Sequence, residues 1–115
     1  MHELGIIMQV NKALIEIAAE NNVKSIASVT LEIGEVSGIV PSYFEDCWKY
    51  FRQKSELLKQ AELHLEMIEG VTYCNVCKQV YETKKYGRTC PFCHQEDTYL
   101  LQGNECTIKE IEAEA

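Results

Sequence analysis

Residues 74–93 read Cys74-Asn75-Val76-Cys77, then twelve residues, then Cys90-Pro91-Phe92-Cys93. Zinc takes four thiolate or imidazole ligands in a tetrahedron. A Cys-x-x-Cys pair fits a tight turn that aims both sulfurs at one ion. Two such turns, on two short hairpins, close the tetrahedron and leave no open position. The spacing therefore predicts a small metal-stapled ribbon, somewhat tighter than the commonest paired form. Tyr73, Tyr81 and Tyr86 flank or fill the loop and are expected to supply its core. Two redox motifs or two disulfides are the competing reading, but doubled turns at ribbon spacing are a metal signature. A closed site of this kind is structural rather than catalytic. His94, directly after Cys93, is expected to hydrogen-bond beside the ion rather than to replace a cysteine.

Around this ribbon the chain is short, 115 residues in all, enough for one small core plus a stapled module. No apolar run has the length of a membrane span, and no secretory signal is legible at the N-terminus. Four of the six cysteines sit in the paired turns, which suits a reducing, cytoplasmic setting better than a secreted disulfide frame. Cys47 and Cys106 stand alone in apolar patterns and read as buried small hydrophobes. Net charge is −7, unevenly spread. Residues 70–103 hold four basic against three acidic side chains, and the rest holds seven against fifteen. An acidic body repels phosphates, which argues against the nucleic-acid role common among zinc ribbons.

Residues 4–20 read as a helix with Leu4, Ile7, Met8, Leu14, Ile17 and Ala18 on one side. In residues 26–33, Val29, Leu31 and Ile33 alternate with Ser28, Thr30 and Glu32 as in a strand. A second helix is expected from Pro41-Ser42. Ser42 and Glu45 stand at capping-box spacing, and Phe44, Cys47, Trp48 and Phe51 form a core stripe. Glu62–Ile68 alternates again, with Leu63, Leu65 and Met67 inward and Glu62, His64 and Glu66 outward. His64 reads as a surface side chain rather than a ligand. Residues 105–112 read as a last strand, with a bulge expected near Glu110. The expected fold class is α+β: a small three-stranded sheet with two helices plus an inserted zinc-ribbon module. Residues 1–69 and 104–115 would form the α/β domain, and residues 70–103 the ribbon. No internal repeat is apparent.

Met1-His2-Glu3 opens the first helix. On pattern alone this is an ordinary initiator before an acidic first turn. The chemistry is suggestive all the same. The bulky His2 keeps Met1 in place, so the free amine belongs to Met1. That amine, the backbone nitrogens of His2 or Glu3 and the His2 imidazole can form fused chelate rings, and planar nitrogen donors suit Ni(II) or Cu(II).

Met1-His2-Glu3-Leu4, Gly34-Glu35 ahead of an aromatic helix, the doubled Cys-x-x-Cys and Gln102-Gly103-Asn104-Glu105 together resemble the HypA/HybF family of nickel metallochaperones, over essentially the whole length. The resemblance implies a non-enzymatic carrier in which Met1, His2 and Glu3 bind transported Ni(II). Cys74, Cys77, Cys90 and Cys93 would hold structural Zn(II). It implies partnership with a HypB-type maturation GTPase and with the NiFe-hydrogenase large subunit, and in some bacteria with urease accessory proteins. Neither nucleic acid nor membrane is expected as a partner, and monomer and homodimer are both left open. The alternatives from other classes are a zinc-ribbon adaptor for nucleic acid or protein, and a thiol oxidoreductase using one Cys-x-x-Cys pair.

Overall fold

Helix α1, Glu3–Glu20, begins the chain in a computed structural model that describes residues 3–114. Strand β1 (Ile26–Gly34), helix α2 (Pro41–Arg52) and strand β2 (Glu62–Ile68) follow. Next come β3 (Val71–Cys74), β4 (Val80–Glu82), the short α3 (Thr83–Tyr86), β5 (Thr98–Gln102) and β6 (Cys106–Ala113).

The strands form two sheets, ordered β2-β1-β6 and β4-β3-β5. This corrects the expectation of one three-stranded sheet with two helices, since the described residues hold six strands and three helices. The second sheet lies within the inserted segment. Its strands are four, three and five residues long, too short for alternation to announce them.

In the first sheet β1 and β2 finish side by side, with the Glu35 N–H donating to the Ile68 carbonyl at 2.8 Å. They therefore run parallel, which requires a crossover, and α2 supplies it. Strand β6 runs the other way, since Gly34 bonds Glu105 and Glu114 bonds Ser25. Burial alternation along β6 breaks at Lys109-Glu110, where both residues are exposed.

The chain divides into two units. The first comprises residues up to Leu31, Ile39–Glu66 and Thr107 onward. Its core is Ile7, Val10, Leu14 and Ala18 of α1, Phe44 and Trp48 of α2, and Ile26, Val29 and Leu31 of β1. The Trp48 indole N–H and the Arg52 guanidinium both donate to the Ala61 carbonyl, at 3.2 and 2.8 Å. Burial of Phe44 and Trp48 matches the predicted stripe, while Phe51 and Cys47 are only half-buried. Cys106 is likewise half-buried, so neither lone cysteine is the core residue expected.

On α1 the buried face is Glu3, Ile7, Val10, Leu14 and Ala18, whereas Leu4, Met8 and Ile17 point to solvent. Apolar residues surround most of this helix, so periodicity alone did not single out the covered stripe. Ser28 and Thr30, expected on a polar face, are buried as well. The reason is position: β1 is central, and long side chains from both flanking strands reach over it, tied by the Lys109–Glu66 ion pair at 2.7 Å.

The second unit comprises Glu32–Gly38 and Met67–Cys106. Strand β3 is its centre, pairing antiparallel with β4 (Thr72 opposite Tyr81) and β5 (Tyr73 opposite Tyr99). Of the three tyrosines, Tyr81 is buried and donates its hydroxyl to the Gly87 carbonyl at 2.9 Å. Tyr86 is exposed but lies edge-on to it, and half-buried Tyr73 packs on Tyr99. Met67, predicted inward, is exposed, because the alternation of β2 breaks after Glu66. Gly34, Gly103 and Gly70 meet backbone to backbone. A Cβ on Gly34 would lie 1.9 Å from the Gly103 oxygen, and one on Gly103 would lie 2.5 Å from the Gly70 Cα.

Candidate metal centre

Strand β3 ends at Cys74 and the chain turns at once. The Lys78 N–H donates to the Cys74 carbonyl at 3.0 Å, and the Cys74 N–H donates to the Gln79 carbonyl at 2.9 Å. Residues 90–95 repeat this bond for bond: His94 N–H to Cys90 carbonyl, and Cys90 N–H to Gln95 carbonyl, each at 2.9 Å. Lys78 and His94 take the left-handed conformation that closes each turn, with φ of 64° and 62°. The chain thus carries one six-residue device twice, Cys-x-x-Cys-x-Gln. This short repeat was visible in the sequence as Gln79 and Gln95 but escaped a search for long repeats.

The two turns face each other. Cys74 Sγ lies 3.5 Å from Cys93 Sγ, and Cys77 Sγ lies 3.5 Å from Cys90 Sγ. All four sulfurs fall within 4.8 Å of one another. A Zn–S bond of about 2.3 Å implies tetrahedral S–S edges of about 3.8 Å, so the quartet fits such an ion. Cys74 and Cys90 are buried with Tyr81, and Cys77 and Cys93 pack against them half-buried.

Backbone N–H groups aimed at the sulfurs give each turn its electrostatics. In the metal-free chain the Cys77 backbone N–H, against burial, lowers the Cys74 thiol. Burial pushes Cys90 up, but the N–H groups of Cys93 and Phe92 outweigh it and bring it to about 7. Burial dominates at Cys77, pushing it up to about 12. Thiolates formed here are met by peptide dipoles rather than by cationic side chains.

His94 is exposed and fills the turn position that Lys78 fills in the other copy, so its place is explained without a ligand role. His64, also exposed, has its Nε2 3.8 Å from a Glu62 carboxylate oxygen. Among the described residues, the cysteine quartet is the one group of three or more His, Cys, Asp or Glu side chains whose ligand atoms converge.

Of the second predicted site, Met1 and His2 lie outside the described residues. Glu3 is described, and it is fully buried. Its Oε2 accepts the Val40 N–H at 3.2 Å, while Oε1 has no hydrogen-bond partner. Val40 is the N-cap of α2, with no side-chain cap of its own. The expected Ser42–Glu45 capping box does not form, because the helix starts one residue earlier, at Pro41. Glu3 performs the box's second half from another helix, satisfying the N-cap N–H. Nothing local in the sequence signals this bond, which joins residues 37 apart.

The profile of the HypA family, described as "Hydrogenase/urease nickel incorporation, metallochaperone, hypA", matches residues 1–113. The chain belongs to the HypA family. Hydrogenase maturation factor HypA of Trichodesmium erythraeum is 36% identical over 115 residues, covering 99% of this chain and 96% of that protein. HypA of Geotalea uraniireducens is 31% identical over 115 residues, covering 99% of this chain and the whole of that protein. The solution structure of the Ni metallochaperone HypA from Helicobacter pylori is similar at a TM-score of 0.77 and 27% identity, covering 98% of this chain and 97% of that one. HypA proteins are metallochaperones rather than catalysts, and this chain is one of them. Among the described residues no helix is long and apolar enough to cross a membrane.

Proposed function

We propose that this HypA protein carries Ni(II) at its N-terminus and delivers it during maturation of NiFe hydrogenase, and of urease where that enzyme is present. Zn(II) is held structurally by Cys74, Cys77, Cys90 and Cys93. The observation that carries this reading is a family match that begins at Met1 and runs through the cysteine quartet. Nickel is bound by the Met1 amine, the His2 imidazole and backbone nitrogens of His2 or Glu3, donors that suit Ni(II). The Glu3 carboxylate is engaged by Val40, so Glu3 contributes through its backbone. The amine and imidazole titrate near about 8 and about 6.5, so protons compete with the metal at neutral pH. Release is then easy, as a carrier requires. A HypB-type GTPase and the hydrogenase large subunit are the partners in transfer. The ribbon domain, residues 70–103, and the α/β domain, residues 1–69 and 104–115, divide the labour between zinc and nickel.

The test is a nickel titration of zinc-loaded protein with its Met1 terminus, beside a version with one glycine placed ahead of Met1. The extension moves the free amine away from His2 and leaves the fold alone. Tight binding by the first and not by the second is expected. Equal binding by both would move nickel elsewhere and overturn the N-terminal site.

A further inference from the structure

We propose that the free edge of β2 receives an extended segment of another protein as an added strand, one in which basic and apolar residues alternate. The order β2-β1-β6 leaves one side of β2 without a neighbouring strand. A cavity of about 290 Å³ lies against Glu62–His64, walled on the other side by Trp48, Lys49 and Arg52 of α2. Leu63 is half-buried on the helix side of the sheet, and Glu62 and His64 are exposed on the opposite side. A single cavity touches residues of both faces only by opening round the edge of the strand. Since β1 holds the other edge, the cavity opens on the unpaired one.

An unpaired strand edge is a template for strand addition, and proteins usually guard it with proline, lysine or a covering loop. Residues 62–66, Glu-Leu-His-Leu-Glu, contain neither proline nor lysine. In strand addition the main chain supplies affinity, and pockets for alternate side chains supply specificity. Both elements are present here. Half-buried Leu63 and Leu65, with Trp48 at the cavity wall, offer an apolar row.

Charge decides what the other row takes. Glu62, His64 and Glu66 form it. Lys109 serves Glu66 at 2.7 Å, whereas Glu62 has only His64 at 3.8 Å. Glu45 lines the same cavity and is in no ion pair among the described residues. Of the cations on the α2 side, Arg52 is held by the Ala61 carbonyl. A lysine or arginine in register with Glu62 therefore meets an acidic site. A second copy of this chain would bring the same row, with no cation in it, and like charges opposed across a strand pair repel. The occupant is thus a different protein. This inference does not rest on the nickel site.

The test uses the zinc-loaded full chain and a capped peptide of about nine residues alternating lysine and valine, the length of a long strand. Controls are an isomer with its lysines grouped, and two alternating peptides N-methylated either at every valine or at every lysine. Calorimetry gives affinity, and amide NMR shifts locate the contact. The alternating peptide is expected to shift residues 62–66 and to lose about tenfold in affinity with Glu62→Lys or Glu45→Lys, whose side chains are exposed. One N-methylated peptide should fail and the other bind, because an added strand uses one edge. Equal binding by the grouped isomer would reduce the effect to bulk charge and overturn the proposal. So would equal binding by both methylated peptides. A dimer of the free protein that Glu62→Lys dissolves would assign the edge to a second copy and overturn it too.

Discussion

Lys78 and His94 hold the same place in two copies of one turn, with φ of 64° and 62° and the same hydrogen bond back to the first cysteine of each pair. Backbone conformation, not metal affinity, defines what these positions need. Asn or Gly at position 94 should keep full metal content and stability. His94→Val, β-branched at positive φ, should cost about 1–2 kcal/mol. Denaturant unfolding of the zinc-loaded variants, with metal analysis, checks this. Loss of zinc in His94→Asn would give the imidazole a ligand role.

Glu3 gives a second outcome. Removing its carboxylate in Glu3→Ala strands the Val40 N–H and opens a gap in a fully buried site. A loss of about 1–3 kcal/mol in unfolding free energy follows. Glu3→Gln retains an acceptor oxygen and should lose less than half of that. Its nickel affinity should match the parent, since the proposed donor is the backbone. A Glu3→Gln chain that folds normally but binds nickel weakly would restore the carboxylate as a ligand.

Metal loading should release protons. In the metal-free chain the Cys77 thiol lies at about 12 and Cys90 at about 7, so at neutral pH Cys77 must shed a proton to bind. Lower pH therefore weakens binding, by up to about tenfold per unit for each proton displaced. Competition with a chelator between about pH 6 and about pH 8 should show apparent zinc affinity rising with pH throughout. A flat profile would mean that these thiols are not the ligands.

Glycine substitutions should divide sharply. Gly34→Ala has no space, with its new Cβ 1.9 Å from the Gly103 oxygen, a backbone atom that cannot swing aside. Gly103→Ala adds a positive φ to a 2.5 Å clash. Each should cost about 3 kcal/mol or more, or prevent folding. Gly5→Ala, within α1 and with nothing inside 4 Å, should stabilise by about 0.5–1 kcal/mol. Thermal melts of the three variants suffice.

These contrasts also mark what the sequence could reveal. The cysteine turns were legible because ligand spacing is a local property, and the metal demand survives any surrounding fold. Strand β1 and helix α2 were legible because Val29, Leu31, Phe44 and Trp48 repeat with a clear period. Which face of α1 is covered was not, because Leu4, Met8 and Ile17 are as apolar as Ile7, Val10 and Leu14. Only packing separates the two sets. Burial of Ser28 and Thr30 depends on neighbours brought in from β2 and β6. The Glu3–Val40 bond and the three-glycine contact likewise join residues far apart in the chain, and no window of sequence contains both partners.

Strand order has a consequence for synthesis. Strand β1 lies between β2 and β6, and β6 is the last element made. A nascent chain can close its cysteine turns and complete β4-β3-β5 once residue 102 has emerged. Its N-terminal strand still waits for Cys106–Ala113. Until then β1 has one bare flank, the state in which growing chains most readily pair with the wrong neighbour. The C-terminal strand thus acts as a completion mark: a chain truncated before it can carry a folded ribbon beside an unfinished sheet.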